Sequence, residues 1–241
     1  MNDISCWESK YQSCTYSESL INKINLQNEK SNHRVDLLQI KKAIYYAKKY
    51  HGSQKRLSGE PYYSHPLAVA ELVTPYCFKT DILVTSILHD TIEDTGLTKD
   101  LIEYIFDANI ASKVEDLTRV KLDGKTSSAE MIELLWLEKK YDLLLVKFFD
   151  RLHNMQTINA KSLEKSVKIT TETFKNFISL GMYFKSSIIN LNEDITLVNL
   201  CYQQLLPDYY HQTISLMTSC EDTFYLPSPF FHNKIIHTKI L

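Results

Sequence analysis

The segment that most restricts the fold is the run YDLLLVKFFDRLHNM, residues 141–155, which is apolar on most sides of a helix. A helix that is apolar nearly all round is typical of the interior of a helical bundle. The same segment carries Asp150, and a lone buried carboxylate is costly unless it is paired or bound to a metal. The run therefore predicts a helical core that contains a charged group in need of a partner.

The rest of the chain also favours helices. Only 5 glycines and 6 prolines occur among its 241 residues, too few for a meander of short strands. Apolar residues recur with a helical period in residues 35–51. Ser127 and Glu130 have capping-box spacing, Asp81 is placed to cap a second helix, and Gly96 is placed to follow its end. We therefore predict an all-α domain, a helical bundle.

Composition excludes several classes of protein. A net charge of -2 argues against a protein that coats nucleic acid. No apolar run approaches the roughly 20 residues that a membrane-spanning helix needs, and the first residues do not have the pattern of a secretory signal. The 5 cysteines form no Cys-x-x-Cys pair, so we expect reduced thiols in a cytoplasmic protein. The oligomeric state is left open.

The ends of the chain differ from its middle. Residues 1–34 are polar and weakly patterned, which indicates an N-terminal arm or a lead-in helix. Helical periodicity continues through residues 35–195, which we assign to one domain. It fades in residues 196–241, for which we predict a loosely packed or irregular tail.

The stretch SILHDTIEDTG places four ionisable groups at the end of an apolar segment. His89 and Glu93 are four residues apart, as are Asp90 and Asp94, so each pair shares a helix face. Adjacent His89 and Asp90 diverge by about 100° on a regular helix. Both can reach one metal ion only if the helix ends or distorts at this point.

Two other segments offer matching metal ligands. His65 directly precedes Pro66, a residue suited to the first turn of a helix, and Asp150 lies on the apolar run. With His89 and Asp90 they supply two imidazoles and two carboxylates, a mixed set that suits manganese, iron or zinc. Such a set leaves coordination positions open for water and a phosphate oxygen, as a catalytic site requires. The pattern is similar to that of the HD phosphohydrolase superfamily.

Longer motifs make the resemblance specific. HGSQKRLSGEPYYSHPLAVAELV, LHDTIEDT and VKFFDRLHNMQTI, in that order, resemble the N-terminal hydrolase domain of the RelA/SpoT family of alarmone enzymes. The resemblance covers roughly residues 37–180. It implies an α-helical HD fold and an Mn²⁺-dependent enzyme that removes pyrophosphate from the 3′ position of guanosine tetra- or pentaphosphate (ppGpp or pppGpp).

The resemblance also implies roles for individual residues. Four residues match the metal ligands of the family: His65, His89, Asp90 and Asp150. Glu93 and Asp94 match the acidic pair that positions and activates the attacking water. Four residues match the lining of the nucleotide pocket: Arg56, Ser58, Asn154 and Thr157. Arg56 offers a planar cation that can stack on guanine, and we expect Lys147 and Arg151 to add positive charge nearby.

Other interpretations stay open at this point. The chain leaves no room for a synthetase or a regulatory half, so we expect a hydrolase-only short form, although a fragment of a longer ancestor fits equally. Leu57 stands where many relatives carry a polar or basic residue. An HD phosphohydrolase of another nucleotide and a non-catalytic alarmone-binding relative are the alternative functions. Structural roles are expected for His51, His153, Tyr62 and Tyr63.

Overall fold

A computed structural model of the chain describes residues 6–118, 120–121, 124–187 and 200–201. The chain divides into two compact units, one ending at His153 and the other beginning at Asn154. The tail predicted for residues 196–241 lies outside the described residues except for Leu200 and Cys201. The limits predicted for the phosphohydrolase domain, 35–195, stay a prediction.

Among the described residues, the regular secondary structure is helical apart from one small hairpin and an isolated bridge between Lys55 and Pro61, which confirms the all-α prediction. The helices are α1 (Trp7–Lys10), α2 (Thr15–Lys30), α3 (Leu37–His51), α4 (Ser64–Val73), α5 (Thr80–Leu88), α6 (Thr91–Asp94), α7 (Lys99–Ile105), α8 (Ala108–Leu117), α9 (Ser128–Leu137), α10 (Tyr141–Gln156) and α11 (Leu163–Ser187), with a 3₁₀ turn at Ile158–Ala160. The hairpin pairs β1 (Val120–Lys121) with β2 (Gly124–Lys125) in antiparallel register.

Helix α5 is the centre of the first unit. It contacts α3, α4 and α8, and every residue from Ile82 to Leu88 is buried. A helix enclosed on all sides needs apolar or internally bonded residues around its whole circumference. Ser86 meets this need because its hydroxyl donates to the carbonyl of Ile82 at 2.8 Å. The buried end of α5 is therefore a rigid base for whatever follows Leu88.

Helix α10 is buried as its sequence predicts. Its apolar residues from Leu143 to Leu152 are at most 3% exposed, and the ring of Phe149 stacks on Tyr76 with centroids 5.4 Å apart. Three charged residues share this interior: Lys147, Asp150 and Arg151. Charges in such surroundings must be paired, and their partners define the site described below.

Several helices begin where the sequence supplies a capping side chain. Ser127 caps α9: its hydroxyl accepts from the Glu130 backbone nitrogen at 3.2 Å, and the Glu130 carboxylate accepts from the Ser127 nitrogen at 2.8 Å. The predicted capping box is therefore confirmed. Asp36, Thr98 and Asp107 cap α3, α7 and α8 more simply, each by a side-chain oxygen that accepts from a backbone nitrogen.

The cap predicted at Asp81 is wrong. Helix α5 begins one residue earlier, at Thr80, and Lys79 occupies the capping position without a side-chain bond. The Asp81 carboxylate instead accepts from Lys113 Nζ at 2.7 Å and lies 3.4 Å from Asn109 Nδ2. Both partners belong to α8, so a long-range ion pair takes the oxygen that a local cap would have used.

Two helices, α1 and α2, lie in the described part of the N-terminal segment, residues 6–34. Within α2, Leu20 and Ile24 are fully buried, and the helix contacts both α3 and α4. Residues 15–30 therefore contribute to the core of the first unit.

The second unit contains α11, the longest helix that is described. One face of α11 is buried, at Thr170, Phe177, Leu180 and Phe184. The helix also carries three exposed apolar residues: Leu163, Val167 and Phe174. Within the described ranges, no helix combines the length and the apolar character that a membrane span requires.

Candidate metal centre

His65 is held at the first turn of α4. Its backbone nitrogen donates to the carbonyl of Tyr62 at 3.0 Å, and Pro66 follows it within the helix, where its missing N–H leaves no bond unmade. The side chain is only 2% exposed. The loop that leads into this turn therefore presents His65 inward.

His89 and Asp90 lie at a break between two helices. Helix α5 ends at Leu88 and α6 begins at Thr91. His89 Nδ1 lies 2.8 Å from the carbonyl of Ser86, and the Thr91 hydroxyl donates to the carbonyl of Leu88 at 2.6 Å. The helix end that the sequence requires here is therefore confirmed, and both adjacent side chains reach the same cluster.

Four side chains converge at this point. His89 Nε2 lies 3.0 Å from Asp90 Oδ1 and 3.8 Å from Asp150 Oδ1, whereas His65 Nε2 lies 3.2 Å from Asp150 Oδ1 and 3.6 Å from Asp90 Oδ2. One ligand atom each from His65, His89 and Asp150 falls within 4.8 Å of the others. Ligands about 2.1 Å from a common ion lie about 3–4.2 Å apart, so the spacing suits a shared cation.

The donors also suit a metal chemically. Because a carbonyl oxygen only accepts, His89 Nδ1 carries the proton shared with Ser86. In neutral His89 this leaves Nε2 as a lone pair facing two carboxylates, and within the described part of the chain that buried nitrogen makes no well-directed hydrogen bond. A divalent cation between the imidazoles and carboxylates would satisfy all of them. The described residues therefore contain a possible divalent-metal site.

The ionisable groups of the cluster shift one another's pKa values. Although burial favours the neutral form, the carboxylates of Asp90 and Asp150 raise the pKa of His89 to about 10. Burial prevails at His65 and lowers its pKa. The pKa of Asp150 lies well below its ordinary value despite burial, because Lys147 and the two histidines favour the carboxylate. The two carboxylates therefore favour positive charge beside them, which a proton on His89 or a bound cation can supply.

The ligand candidates have partners on their outer sides. Lys147 Nζ donates to Asp150 Oδ2 at 2.8 Å, and His65 Nδ1 lies 2.8 Å from His153 Nδ1. Burial, with electrostatic repulsion from Arg56 and from the protonated form of His65, lowers the pKa of His153 to about 3. A neutral His153 can accept the proton of His65 Nδ1, which leaves Nε2 of His65 free for a metal, an arrangement common around metal-bound histidines.

The predicted acidic pair follows directly on the cluster. Glu93 and Asp94 are the last two residues of the four-residue helix α6. Asp94 is exposed, and its Oδ2 accepts from the Tyr62 hydroxyl at 2.6 Å. Partial desolvation of the carboxyl group and the carboxylates of Asp90 and Glu93 raise the pKa of Asp94, and the bond from Tyr62 opposes them.

The predicted nucleotide residues fall in two places. Arg56 and Ser58 belong to the loop before α4, in a turn closed by a bond of 2.9 Å from the Gly59 nitrogen to the Arg56 carbonyl. Gly59 has a φ of +92°, a value that favours glycine. Asn154 and Thr157 belong to the second unit, where the Thr157 hydroxyl lies 3.4 Å from the carbonyl of Asn154. Their pocket roles stay a prediction.

Lys147 and Arg151 both have partners inside the protein. Lys147 and Arg151 were expected to add positive charge near a nucleotide, but both are buried on α10. Lys147 pairs with Asp150, and Arg151 donates to the Ser128 hydroxyl at 3.1 Å. That either residue adds positive charge near a nucleotide stays a prediction.

Sequence reasoning missed several residues around the cluster. Tyr62, His51, His153 and Gln54 were given structural roles or none, yet Tyr62 contacts Asp94 and His153 contacts His65. Their partners lie far along the chain, so local periodicity offers no signal. The available clue is that His51, Gln54 and Tyr62 stand inside the same motif as His65, and that His153 stands inside the motif that contains Asp150.

Comparisons with known proteins agree with this geometry. The profile of the HD domain family matches residues 43–182. The GTP pyrophosphokinase rsh of Brucella ovis is 40% identical over 148 residues, which are 59% of this chain and 20% of that protein. A probable guanosine-3′,5′-bis(diphosphate) 3′-pyrophosphohydrolase of Synechocystis is 34% identical over 182 residues, 73% of this chain and 23% of that one.

A third relative has a similar name. The guanosine-3′,5′-bis(diphosphate) 3′-pyrophosphohydrolase of Aquifex aeolicus is 37% identical over 146 residues, 59% of this chain and 21% of that protein. The chain belongs to the HD domain family, because the matched region covers more than half of it. The resemblance to the RelA/SpoT hydrolase domain is confirmed. The chain spans about a fifth of the length of these relatives.

Proposed function

We propose that this protein is an Mn²⁺-dependent hydrolase that converts ppGpp to GDP and pyrophosphate, and that it acts on pppGpp in the same way. The observation that carries the proposal is the convergence of His65, His89 and Asp150 within 4.8 Å, with an acidic pair on the next helix. The names of the Synechocystis and Aquifex relatives support the choice of substrate.

The proposed ligands are the four converging residues: His65, His89, Asp90 and Asp150. Two imidazoles and two carboxylates form a set that suits Mn²⁺. When bound, the ion would lower the pKa of a coordinated water and neutralise charge on the phosphoryl oxygens. The protein contributes the fixed orientation of the ligands, through Ser86 for His89 and Lys147 for Asp150.

The acidic pair would perform the proton transfers. The oxygen of the attacking water forms a bond to the phosphorus attached to the ribose 3′ oxygen, and the bond between that phosphorus and O3′ breaks. We assign Glu93 as the acceptor of the water proton and Asp94 as the group that orients the water. The departing O3′ takes up a proton, so ppGpp and water give GDP and pyrophosphate.

The residues proposed to bind the nucleotide stand inside two of the motifs that carry the family resemblance. Arg56 carries a planar cation suited to guanine or phosphate, and its charge acts on His153, which contacts His65. Ser58, Asn154 and Thr157 are proposed to donate hydrogen bonds to sugar or phosphate. A nucleotide substrate of this kind agrees with a cytoplasmic location, which we propose as well.

One incubation tests the proposal. The full chain is treated with Mn²⁺ and ppGpp, and the products are separated by anion-exchange chromatography, with EDTA and Asp150→Ala as controls. Equal amounts of GDP and pyrophosphate that depend on both Mn²⁺ and Asp150 are expected. Release of phosphate from another nucleotide would identify a different HD phosphohydrolase, and binding of ppGpp without turnover would identify a non-catalytic relative.

A further inference from the structure

The hydroxyl of Tyr62 lies between a proposed metal ligand and a proposed catalytic acid. It is 2.6 Å from Asp94 Oδ2 and 3.3 Å from Asp90 Oδ2. A hydroxyl has one proton to donate, and the shorter distance assigns that proton to Asp94. The carboxylate of Asp94 is therefore hydrogen-bonded to Tyr62, which lies only three positions before His65.

The ring of Tyr62 is itself held in place. It stacks on His51 with centroids 4.7 Å apart and planes inclined by 24°, and His51 is the last residue of α3, only 1% exposed. The Tyr62 nitrogen donates to the carbonyl of Gln54 at 2.9 Å. The ring of Tyr62 is thus held by the last residue of α3, and its backbone is held by Gln54 in the loop that follows that helix.

Gln54 connects His51, at the end of α3, to Asp94. Its Nε2 donates to the Asp94 carbonyl at 2.8 Å, and its Oε1 lies 2.8 Å from His51 Nδ1. Because that oxygen can only accept, His51 Nδ1 is the donor. His51, Gln54, Asp94 and Tyr62 therefore form a closed ring of contacts that holds Asp94 by its backbone and by its carboxylate.

Asp94 needs such support. It ends a helix of only four residues, it is exposed, and an isolated helical turn has little stability of its own. A carboxylate that orients water must be held to a fraction of an ångström, since a displacement of about 1 Å can cost about 100-fold in rate. We propose that Tyr62 is a positioning residue that holds the Asp94 carboxylate for the hydrolytic step, an inference that rests on the proposed function.

The central test replaces Tyr62 by phenylalanine, which removes the hydroxyl and keeps the ring. One hydrogen bond to a charged group corresponds to a factor of about 10–100, so kcat for ppGpp is expected to fall by about that factor. KM and the affinity for Mn²⁺ are expected to stay within about threefold. Tyr63→Phe is the matched control: Tyr63 bonds Cys14 instead, and its variant should keep full activity.

A double-mutant cycle shows whether Tyr62 acts through Asp94. In an Asp94→Ala background, Tyr62→Phe should slow turnover by less than about twofold further. An undiminished effect in that background would overturn the proposal. So would a loss of Mn²⁺ affinity equal to the loss of kcat, because Tyr62 would then act through Asp90.

The same variants provide a measurement that does not depend on turnover. The unmodified protein, Tyr62→Phe, Asp94→Ala and the double variant are unfolded by urea with EDTA present. Their free energies of unfolding give the coupling between Tyr62 and Asp94. A clear coupling is expected, and additivity would overturn the proposed contact whether or not ppGpp is hydrolysed. If the unmodified protein releases no pyrophosphate from ppGpp, the proposed function fails, and the unfolding cycle still decides whether Tyr62 holds Asp94.

Discussion

Replacing Lys147 by methionine is expected to destabilise the metal-free protein and to increase its response to Mn²⁺. Lys147 Nζ lies 2.8 Å from Asp150 Oδ2, and the two side chains are 7% and 10% exposed. Methionine fills a similar volume without the charge. The substitution therefore leaves a buried carboxylate with two histidines as its main neighbours.

The magnitude follows from burial and distance. Removing one member of a buried ion pair costs about 3–5 kcal/mol. His65 and His89 lie 3.2 Å and 3.8 Å from the other Asp150 oxygen and can offset part of this penalty. We therefore expect the free energy of unfolding in EDTA to fall by about 3 kcal/mol, the lower end of that range.

Mn²⁺ should reverse part of the loss. An ammonium beside a ligand carboxylate repels a divalent cation, so its removal should tighten Mn²⁺ binding. At an ion concentration of about 100 times Kd, binding stabilises a protein by about 2.7 kcal/mol. Tenfold tighter binding would add about 1.4 kcal/mol in the variant.

The effect should also depend on pH. Lys147 holds the pKa of Asp150 low, so the stability that the pair contributes is present above the ordinary carboxyl pKa and is lost as the pH falls through the folded value. In Lys147→Met the pKa of Asp150 rises. The difference between the two proteins should therefore be largest at neutral pH and should shrink in acid.

The assay is urea unfolding followed by circular dichroism, with EDTA or with Mn²⁺. Lys113→Met is the control, because Lys113 pairs with Asp81 at 2.7 Å but both are more exposed, at 20% and 33%. This variant should lose at most about 1 kcal/mol and respond to Mn²⁺ as the unmodified protein does. Two results would refute the reasoning: a loss in Lys147→Met no larger than in the control, or an equal response of both variants to Mn²⁺.

Three further changes test the site and the fold. Glu93→Gln should lower ppGpp turnover by about 10²–10⁴-fold while Mn²⁺ binding measured by electron paramagnetic resonance is kept; near-normal turnover would place the base elsewhere. Because carboxylates raise the pKa of His89 to about 10 in the absence of metal, Mn²⁺ must displace a proton from this residue. The affinity for Mn²⁺ should therefore rise with pH, and calorimetry in two buffers should detect proton release; binding without proton release would show that His89 is not a ligand. Ser127→Ala should lower the free energy of unfolding by about 1 kcal/mol without changing Mn²⁺ affinity, and an unchanged urea midpoint would contradict the role of the cap.

Local sequence patterns predicted the helices well where the determinants are local. The apolar run of α10 and the Ser127–Glu130 capping box depend on residues within a few positions of one another. The cap assigned to Asp81 failed because Lys113, 32 residues later, binds the same carboxylate. Such competition follows from how α5 and α8 pack, which no local pattern specifies.

The candidate site shows the same difference between local and long-range determinants. His65, His89 and Asp150 were named from motifs, and the structure brings them together. The contacts of His153 with His65 and of Tyr62 with Asp94 were not predicted, since these partners lie 88 and 32 positions apart in the sequence. Aromatic and amide side chains near a motif have no period or charge pattern that distinguishes support from simple packing.

The break between α5 and α6 explains how neighbouring residues can serve one centre. Neither glycine nor proline stands at His89–Asp90, so the break is not caused by a residue that cannot continue a helix. Instead, His89 Nδ1 donates to the carbonyl of Ser86 and the Thr91 hydroxyl donates to that of Leu88. Side chains thus bond carbonyls at the end of a buried helix, where unpaired groups are costly. The bond that ends the helix is also the one that turns His89 Nε2 toward the carboxylates, so one interaction both shapes the backbone and orients the ligand.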